Sequence, residues 1–158
     1  MGYLTGDSSG DFLFGALYRA GFANQPTSLR RGDGLKLTDV YIGAAARCAP
    51  PDNKPTPQEF ANCFAYLSRE FELLKNVRVM IGLGLIGFNA ILKLLEAHQV
   101  ARPRPRPQFG HNTVYTIGTY TVIGAYHPSR QNTNTGKLTA PLFDLVFQSA
   151  RRALGNDR

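Results

Sequence analysis

Residues 77–83 read Val-Arg-Val-Met-Ile-Gly-Leu, a nearly continuous apolar run of strand length, and Gly84 then opens a helical pattern through Leu95. A strand with one wet face alternates polar and apolar residues, whereas a run of this kind is expected where helices cover both faces of a sheet. The remaining segments fit that frame. A helix is expected over 11–20, with Phe12, Leu13, Ala16, Leu17 and Ala20 on one side and Gly21 as its stop. A strand is expected within 35–47, around Val40, Tyr41 and Ile42. Thr56 and Glu59 form a capping-box signature with Pro57 at the first helical position, predicting a helix to Leu74. Two short β segments follow at 113–117 and 120–125, then a polar loop over 126–137 and a last helix over 139–154. The order predicts an α/β fold: a three-layer αβα sandwich with a mostly parallel central sheet, formed by residues 1–158 as one domain. A loop feeds straight into the first helix, so the expectation is that an N-terminal strand is missing from this chain.

Composition narrows the partner. Hydrophobic residues make up 43% of the 158, enough for a buried core, which excludes a disordered chain. The longest apolar stretch is broken by Arg78, Gly82, Gly84, Gly87 and Asn89, so no membrane span is expected. Eighteen Lys and Arg against eleven Asp and Glu leave a net charge of +7. That surplus favours an anionic partner, nucleic acid ahead of a lipid surface, because no basic amphipathic helix accompanies it. With two cysteines and no signal peptide the expected compartment is a reducing cytoplasm.

Four features bear on chemistry, each with two readings. Residues 126–136, Tyr-His-Pro-Ser-Arg-Gln-Asn-Thr-Asn-Thr-Gly, make either an ordinary surface loop or a binding loop. In the second reading His127 sits at the carboxyl end of a strand, where α/β enzymes place functional groups. Ser129, Gln131, Asn132 and Asn134 then contact phosphates or base edges, and Arg130 supplies charge. Asp7, in a glycine-flanked turn, either caps the first helix or faces a crevice as a carboxylate that orients water. Cys48 and Cys63 are either buried free thiols or ligands, although four cysteines are not available to close a metal site, and His98, His111 and His127 show no partner spacing to them. The Arg102-Pro-Arg-Pro-Arg-Pro arm, expected as extended polyproline II, is either a solvated insert or a loose phosphate track. Lys36, Lys54, Arg30 and Arg31 can widen the same positive face.

Three strings, Leu4-Thr-Gly-Asp-Ser-Ser-Gly-Asp-Phe-Leu, Arg47-Cys-Ala-Pro-Pro-Asp-Asn-Lys-Pro-Thr-Pro and His127-Pro-Ser-Arg-Gln-Asn-Thr-Asn-Thr-Gly, resemble the uracil-DNA glycosylase superfamily. More narrowly they resemble its family 5, the iron–sulfur type B enzymes. The resemblance implies excision of uracil, and of other deaminated bases, from DNA by base flipping, which leaves an abasic site. By that resemblance Asp7 matches the catalytic carboxylate and His127 the histidine that hydrogen-bonds the uracil carbonyl. Asn53 matches the residue that reads the edge of the base, with Leu4 and Gly6 beside it in the uracil site. Ser129, Arg130, Gln131, Asn132 and Asn134 match the segment that enters the duplex.

The sequence also departs from the family pattern. The Gly-Leu-Ala-Pro-Ala type motif of the first strand is absent, and Leu4 stands where relatives usually stack an aromatic ring on the base. The family's [4Fe–4S] cluster has four cysteine ligands, and Cys48 and Cys63 fall where the last two belong, so the ligand set is incomplete here. The expectation is therefore a truncated repair glycosylase, monomeric, acting on uracil-containing or deaminated DNA. The alternatives are a catalytically inactive nucleic-acid-binding fragment and, more weakly, a chain that folds poorly.

Overall fold

A computed structural model describes residues 8–45 and 56–155. It contains α1 (Ser8–Arg19), α2 (Pro57–Leu73), β1 (Val79–Leu83), α3 (Gly84–Ala97), β2 (Val114–Ile117), β3 (Tyr120–Ala125), α4 (Arg130–Asn134) and α5 (Ala140–Leu154). The strands form one sheet in the order β1-β3-β2. β1 runs parallel to β3, with Leu83 beside Ala125, and β2 runs antiparallel to β3. The α/β class therefore holds, with a sheet that is mixed among the described residues.

Both faces of the sheet are covered, as the apolar run in β1 demands. One core joins Leu13, Phe14 and Leu17 of α1 to Phe143, Val146 and Phe147 of α5, over Ile123 and Ala125. The other joins Phe88, Ile91, Leu92 and Leu95 of α3 to Val122 and Ile117. Neighbours along β3 thus point to opposite cores, which is the period-two alternation of a strand buried on both sides. β1 divides likewise: Val79, Ile81 and Leu83 pack against the first core and Met80 against the second. These β1 side chains remain only half-buried, since β1 lies at an edge of the sheet among the described residues.

Local chemistry sets the helix ends. Thr56 accepts from the Glu59 N–H at 3.2 Å while the Glu59 carboxylate accepts from the Thr56 N–H at 2.7 Å, closing the expected capping box on α2. α5 starts on Thr139 and ends on Gly155 in the left-handed region. A fork from Arg19 to Asp144 (2.9–3.0 Å) and a bond from Arg151 Nε to the Ala20 carbonyl (3.0 Å) bind α1 and its following turn to α5.

Three local expectations need correction. Residues 40–42 form no strand; only an isolated bridge joins Ala23 to Leu37 nearby. Asp39 takes a positive φ of 60°, which turns the chain, and Val40 and Ile42 use their apolar side chains to cover the α1–α5 core instead. The polar loop contains a short helix, α4, because Ser129 accepts from the Asn132 N–H and caps it. The arginine arm bends at Arg104–Pro105, joined by a cis peptide bond, and is not a straight polyproline helix.

Candidate functional site

Because β1 and β3 are parallel neighbours, their carboxyl ends open on the same edge of the sheet. β1 passes at once into α3 through Gly84, whose φ is +75°. A Cβ at Gly84 would come within 3.3 Å of the His127 Cβ, so glycine meets two demands here, the left-handed turn and the close approach of His127. His127 follows β3 by two residues and is exposed, and the next residue, Pro128, is fully buried and fixes the chain beneath it.

The loop beyond His127 is tied to itself and to α1. Asn132 Nδ2 donates to the His127 carbonyl at 2.9 Å, and Leu138 N donates to the Asn132 carbonyl at 2.9 Å. The Leu138 side chain is buried in the α1–α5 core, which anchors the far end of the loop. Thr133 Oγ1 donates to the Ser129 carbonyl at 3.1 Å, and Thr135 Oγ1 to that of Gln131 at 2.6 Å. Arg130 reaches across the sheet edge, its Nε donating to Ser8 Oγ at 3.1 Å. Ser8 is the first residue of α1 and adjoins Asp7 in the chain. The contact spans 122 residues of sequence and joins the start of α1 to the loop after β3.

Of the residues singled out from the sequence, His127, Ser129, Arg130, Gln131, Asn132 and Asn134 lie together at this edge. Asn132 and Ser129 spend their side chains partly within the loop, whereas Gln131 and Asn134 on α4 are exposed. Leu4, Gly6, Asp7, Cys48 and Asn53 lie outside the described residues. Cys63 lies on α2 with its side chain buried. Among the described residues no three His, Cys, Asp or Glu side chains gather where a metal ion could be held. The two cysteines of the sequence do not complete a four-thiolate cluster, so the residues present do not fit that group.

Residues to which the sequence assigns no functional role support the site. His111 Nδ1 accepts from the Tyr126 N–H at 3.0 Å, and its Nε2 faces the Leu142 carbonyl at 2.9 Å. Those partners assign the Nε2–H tautomer, with one nitrogen accepting and the other donating. The imidazole stacks on Tyr126 at 4.8 Å, and the Lys137 ammonium sits 4.7 Å from the same phenol ring. The residue just before His127 is therefore held by backbone, ring and cation. A glycine directly after an apolar strand is a signal for Gly84; no sequence signal marks His111.

Two helix N-termini, those of α1 and α3, open toward this edge. Leu83 offers α3 no side-chain acceptor for its first-turn N–H groups. The macrodipoles favour negative charge there, and the exposed Leu85 and Ile86 on the first turn of α3 add an apolar lip. The arrangement suits a ligand with an anionic portion and a flat apolar portion, met by an imidazole.

Comparison with known proteins gives the same direction. The family model described as the uracil DNA glycosylase superfamily matches residues 3–151. The chain is 45% identical over 152 residues to a type-5 uracil-DNA glycosylase of Thermus thermophilus, covering 96% of this chain and 67% of the relative. It is 40% identical over 153 residues to one of Mycobacterium bovis, covering 96% of this chain and 56% of the relative. A type-4 uracil-DNA glycosylase of Thermotoga maritima is 33% identical over 104 residues, 65% of this chain and 50% of the relative. The chain thus spans little more than half the length of the mycobacterial relative.

Proposed function

The chain belongs to the uracil DNA glycosylase superfamily, and from that premise we infer that it carries the base-excision machinery of a uracil-DNA glycosylase. The substrate is uracil-containing or deaminated DNA, and the product is an abasic site. The observation that carries this reading is the Arg130–Ser8 bond, which ties the residue after Asp7 to the loop after His127. It brings the start of α1 and the loop that follows His127, far apart in sequence, to one edge of one sheet.

Hydrolysis of an N-glycosidic bond asks for two things at once. The sugar develops oxocarbenium character and must receive water, and the departing base takes up negative charge. Asp7 serves the first need, orienting water and countering the positive sugar. His127 serves the second by hydrogen bonding to the uracil carbonyl oxygen, helped by the α3 N-terminus beside Gly84. Asn53 reads the base edge with one donor and one acceptor, and Leu4 and Gly6 line the uracil pocket. The Ser129–Asn134 segment, with Arg130, Gln131, Asn132 and Asn134, enters the duplex and holds the gap left by the flipped base. Its rigid anchoring through Pro128 and Leu138 supports that role.

A [4Fe–4S] cluster held by Cys48 and Cys63 would need two further thiolate ligands, and these 158 residues hold no other cysteine. No catalytic step runs through it. Residues 1–158 act as one monomeric domain in the cytoplasm. No helix among the described residues is long and apolar enough to cross a membrane. The binding-only alternative has no observation in its favour, since the relatives named above are all called uracil-DNA glycosylases.

The test uses a labelled oligonucleotide with one uracil, incubated with the full chain and then cleaved at abasic sites by alkali. Wild type is expected to give cleavage, and Asp7→Ala to slow it by orders of magnitude. Full activity in Asp7→Ala removes that carboxylate from the mechanism. Salt-sensitive DNA binding with no base release from any damaged substrate puts a binding module in place of the enzyme.

A further inference from the structure

We propose that the arginine arm, residues 102–106, is a track for DNA phosphates flanking the site, an inference that rests on the DNA-directed reading above. The arm is a strap along α3. At one end Arg102 pairs with Glu96 near the carboxyl end of that helix, at 3.4 Å. At the other, Arg106 Nη2 donates to Asn89 Oδ1 at 3.3 Å. Asn89 stands five residues, about 8 Å by helical rise, from Gly84, and Glu96 about 18 Å from it. The chain after the arm continues to the same edge of the sheet: Asn112 N donates to the Gly124 carbonyl at 2.8 Å, and Phe109 meets Tyr126 at 6.3 Å between ring centres. The arm therefore leads from the far end of α3 toward His127.

It is held in place rather than loosely attached. Pro107 is buried and Pro103 half-buried, and the arm and α3 enclose a cleft of about 210 Å³ floored by Leu92, Leu95 and Ile117. All three arginines are exposed. Arg102 has its charge offset by Glu96, Arg106 bonds only a neutral amide, and Arg104 has no ion-pair or hydrogen-bond partner among the described residues. Three arginines less one glutamate leave two positive charges on a fixed strip. Such an array suits a regular line of phosphates, and ordering it beforehand lowers the entropic cost of binding.

The test is fluorescence anisotropy with a labelled duplex lacking uracil, titrated with the full chain at several salt concentrations. The variant is Arg102→Gln/Arg104→Gln/Arg106→Gln, and the control is Arg69→Gln/Lys75→Gln/Arg152→Gln, which removes the same charge from exposed positions on and after α2 and on α5. Loss of two phosphate contacts is expected to lower the slope of log affinity against log salt by about 1.8, closing the affinity gap to wild type about 12-fold between 50 and 200 mM. Circular dichroism melting checks that both variants stay folded; the single substitution Arg104→Gln, at a side chain with no ion-pair or hydrogen-bond partner among the described residues, replaces the triple if it does not. An unchanged slope in the arm variant, or an equal drop in the control, overturns the proposal. Loss of binding to phosphatidylserine vesicles with DNA binding intact would assign the arm to a lipid surface and also overturn it. Wild type that binds no DNA refutes the glycosylase reading itself, and uracil release with an unchanged arm slope refutes only the track.

Discussion

Gly82→Ala tests how α3 is seated on the sheet. A Cβ at Gly82 would lie 2.5 Å from the Phe88 Cα, 2.6 Å from the Phe88 N and 3.0 Å from the Gly87 carbonyl carbon. All three are backbone atoms of the helix, so no side chain can swing aside. Restoring ordinary carbon contact, about 3.5 Å, requires the start of α3 to lift by roughly 1 Å. Phe88 is fully buried between Phe109 and Tyr115, with ring centres 5.7 and 6.1 Å away, and it would lift with the helix. Overpacking of this kind costs about 1–3 kcal/mol, and about 2 kcal/mol lowers Tm by roughly 4–8 °C in a chain of this size. The same shift moves Gly84 against His127, and a misplacement of that size can cost on the order of 100-fold in rate. The control is Gly32→Ala, where φ is +79° and nothing lies within 4 Å. It should cost about 1–2 kcal/mol through backbone conformation alone and leave uracil release unchanged. Urea unfolding followed by circular dichroism gives both stabilities. A Gly82→Ala protein within 0.5 kcal/mol of wild type, roughly the noise of surface substitutions, would refute the packing argument.

Two further outcomes follow from hydrogen bonds. His111→Phe keeps a ring over Tyr126 but leaves the Tyr126 N–H and the Leu142 carbonyl without the imidazole, and should cost about 1–3 kcal/mol in urea unfolding; stability equal to wild type would deny the imidazole its bridging role. Asp33 accepts from the N–H groups of Leu29 (2.8 Å) and Leu35 (3.1 Å), and the Leu29 bond, then the Leu35 bond, holds its carboxyl below the ordinary 3.8. A folded-state value below the unfolded one means the added stability is complete above about 3.8 and is lost as pH falls through the folded value. An NMR titration should therefore place Asp33 below the ordinary value, and a titration at or above it would contradict the turn geometry.

Local rules were legible where the chain carries its own partner. Thr56, Pro57 and Glu59 announce the start of α2 because a capping box closes within four residues. The unbroken apolar run of β1 announces two covered faces, and the helices on either side provide them. Val40 and Ile42 mislead because β-branched residues show only a need for burial; a ladder also requires a neighbouring strand, and the turn at Asp39 directs these two side chains onto the α1–α5 core instead. Ser129 and its partner Asn132 are residue types that contact ligands, yet their first use is to cap and brace α4, which no composition of a polar loop reveals. The site itself was half legible. The string after His127 lies at one sheet edge, while His111 and Ser8 act through contacts 15 and 122 residues away and leave no local mark.

The central claim is that Asp7, Asn53 and His127 face one pocket sized for an extruded pyrimidine. Its most direct measurement is a crystal structure of the full chain on duplex DNA carrying a hydrolysis-resistant 2′-fluoro deoxyuridine. The expected result is a flipped uracil whose carbonyl oxygen lies about 2.7–3.2 Å from His127, with the Asn53 amide on the base edge and the Asp7 carboxylate toward the sugar. A uracil left in the stack, or Asp7 and His127 on different faces of the molecule, would contradict it.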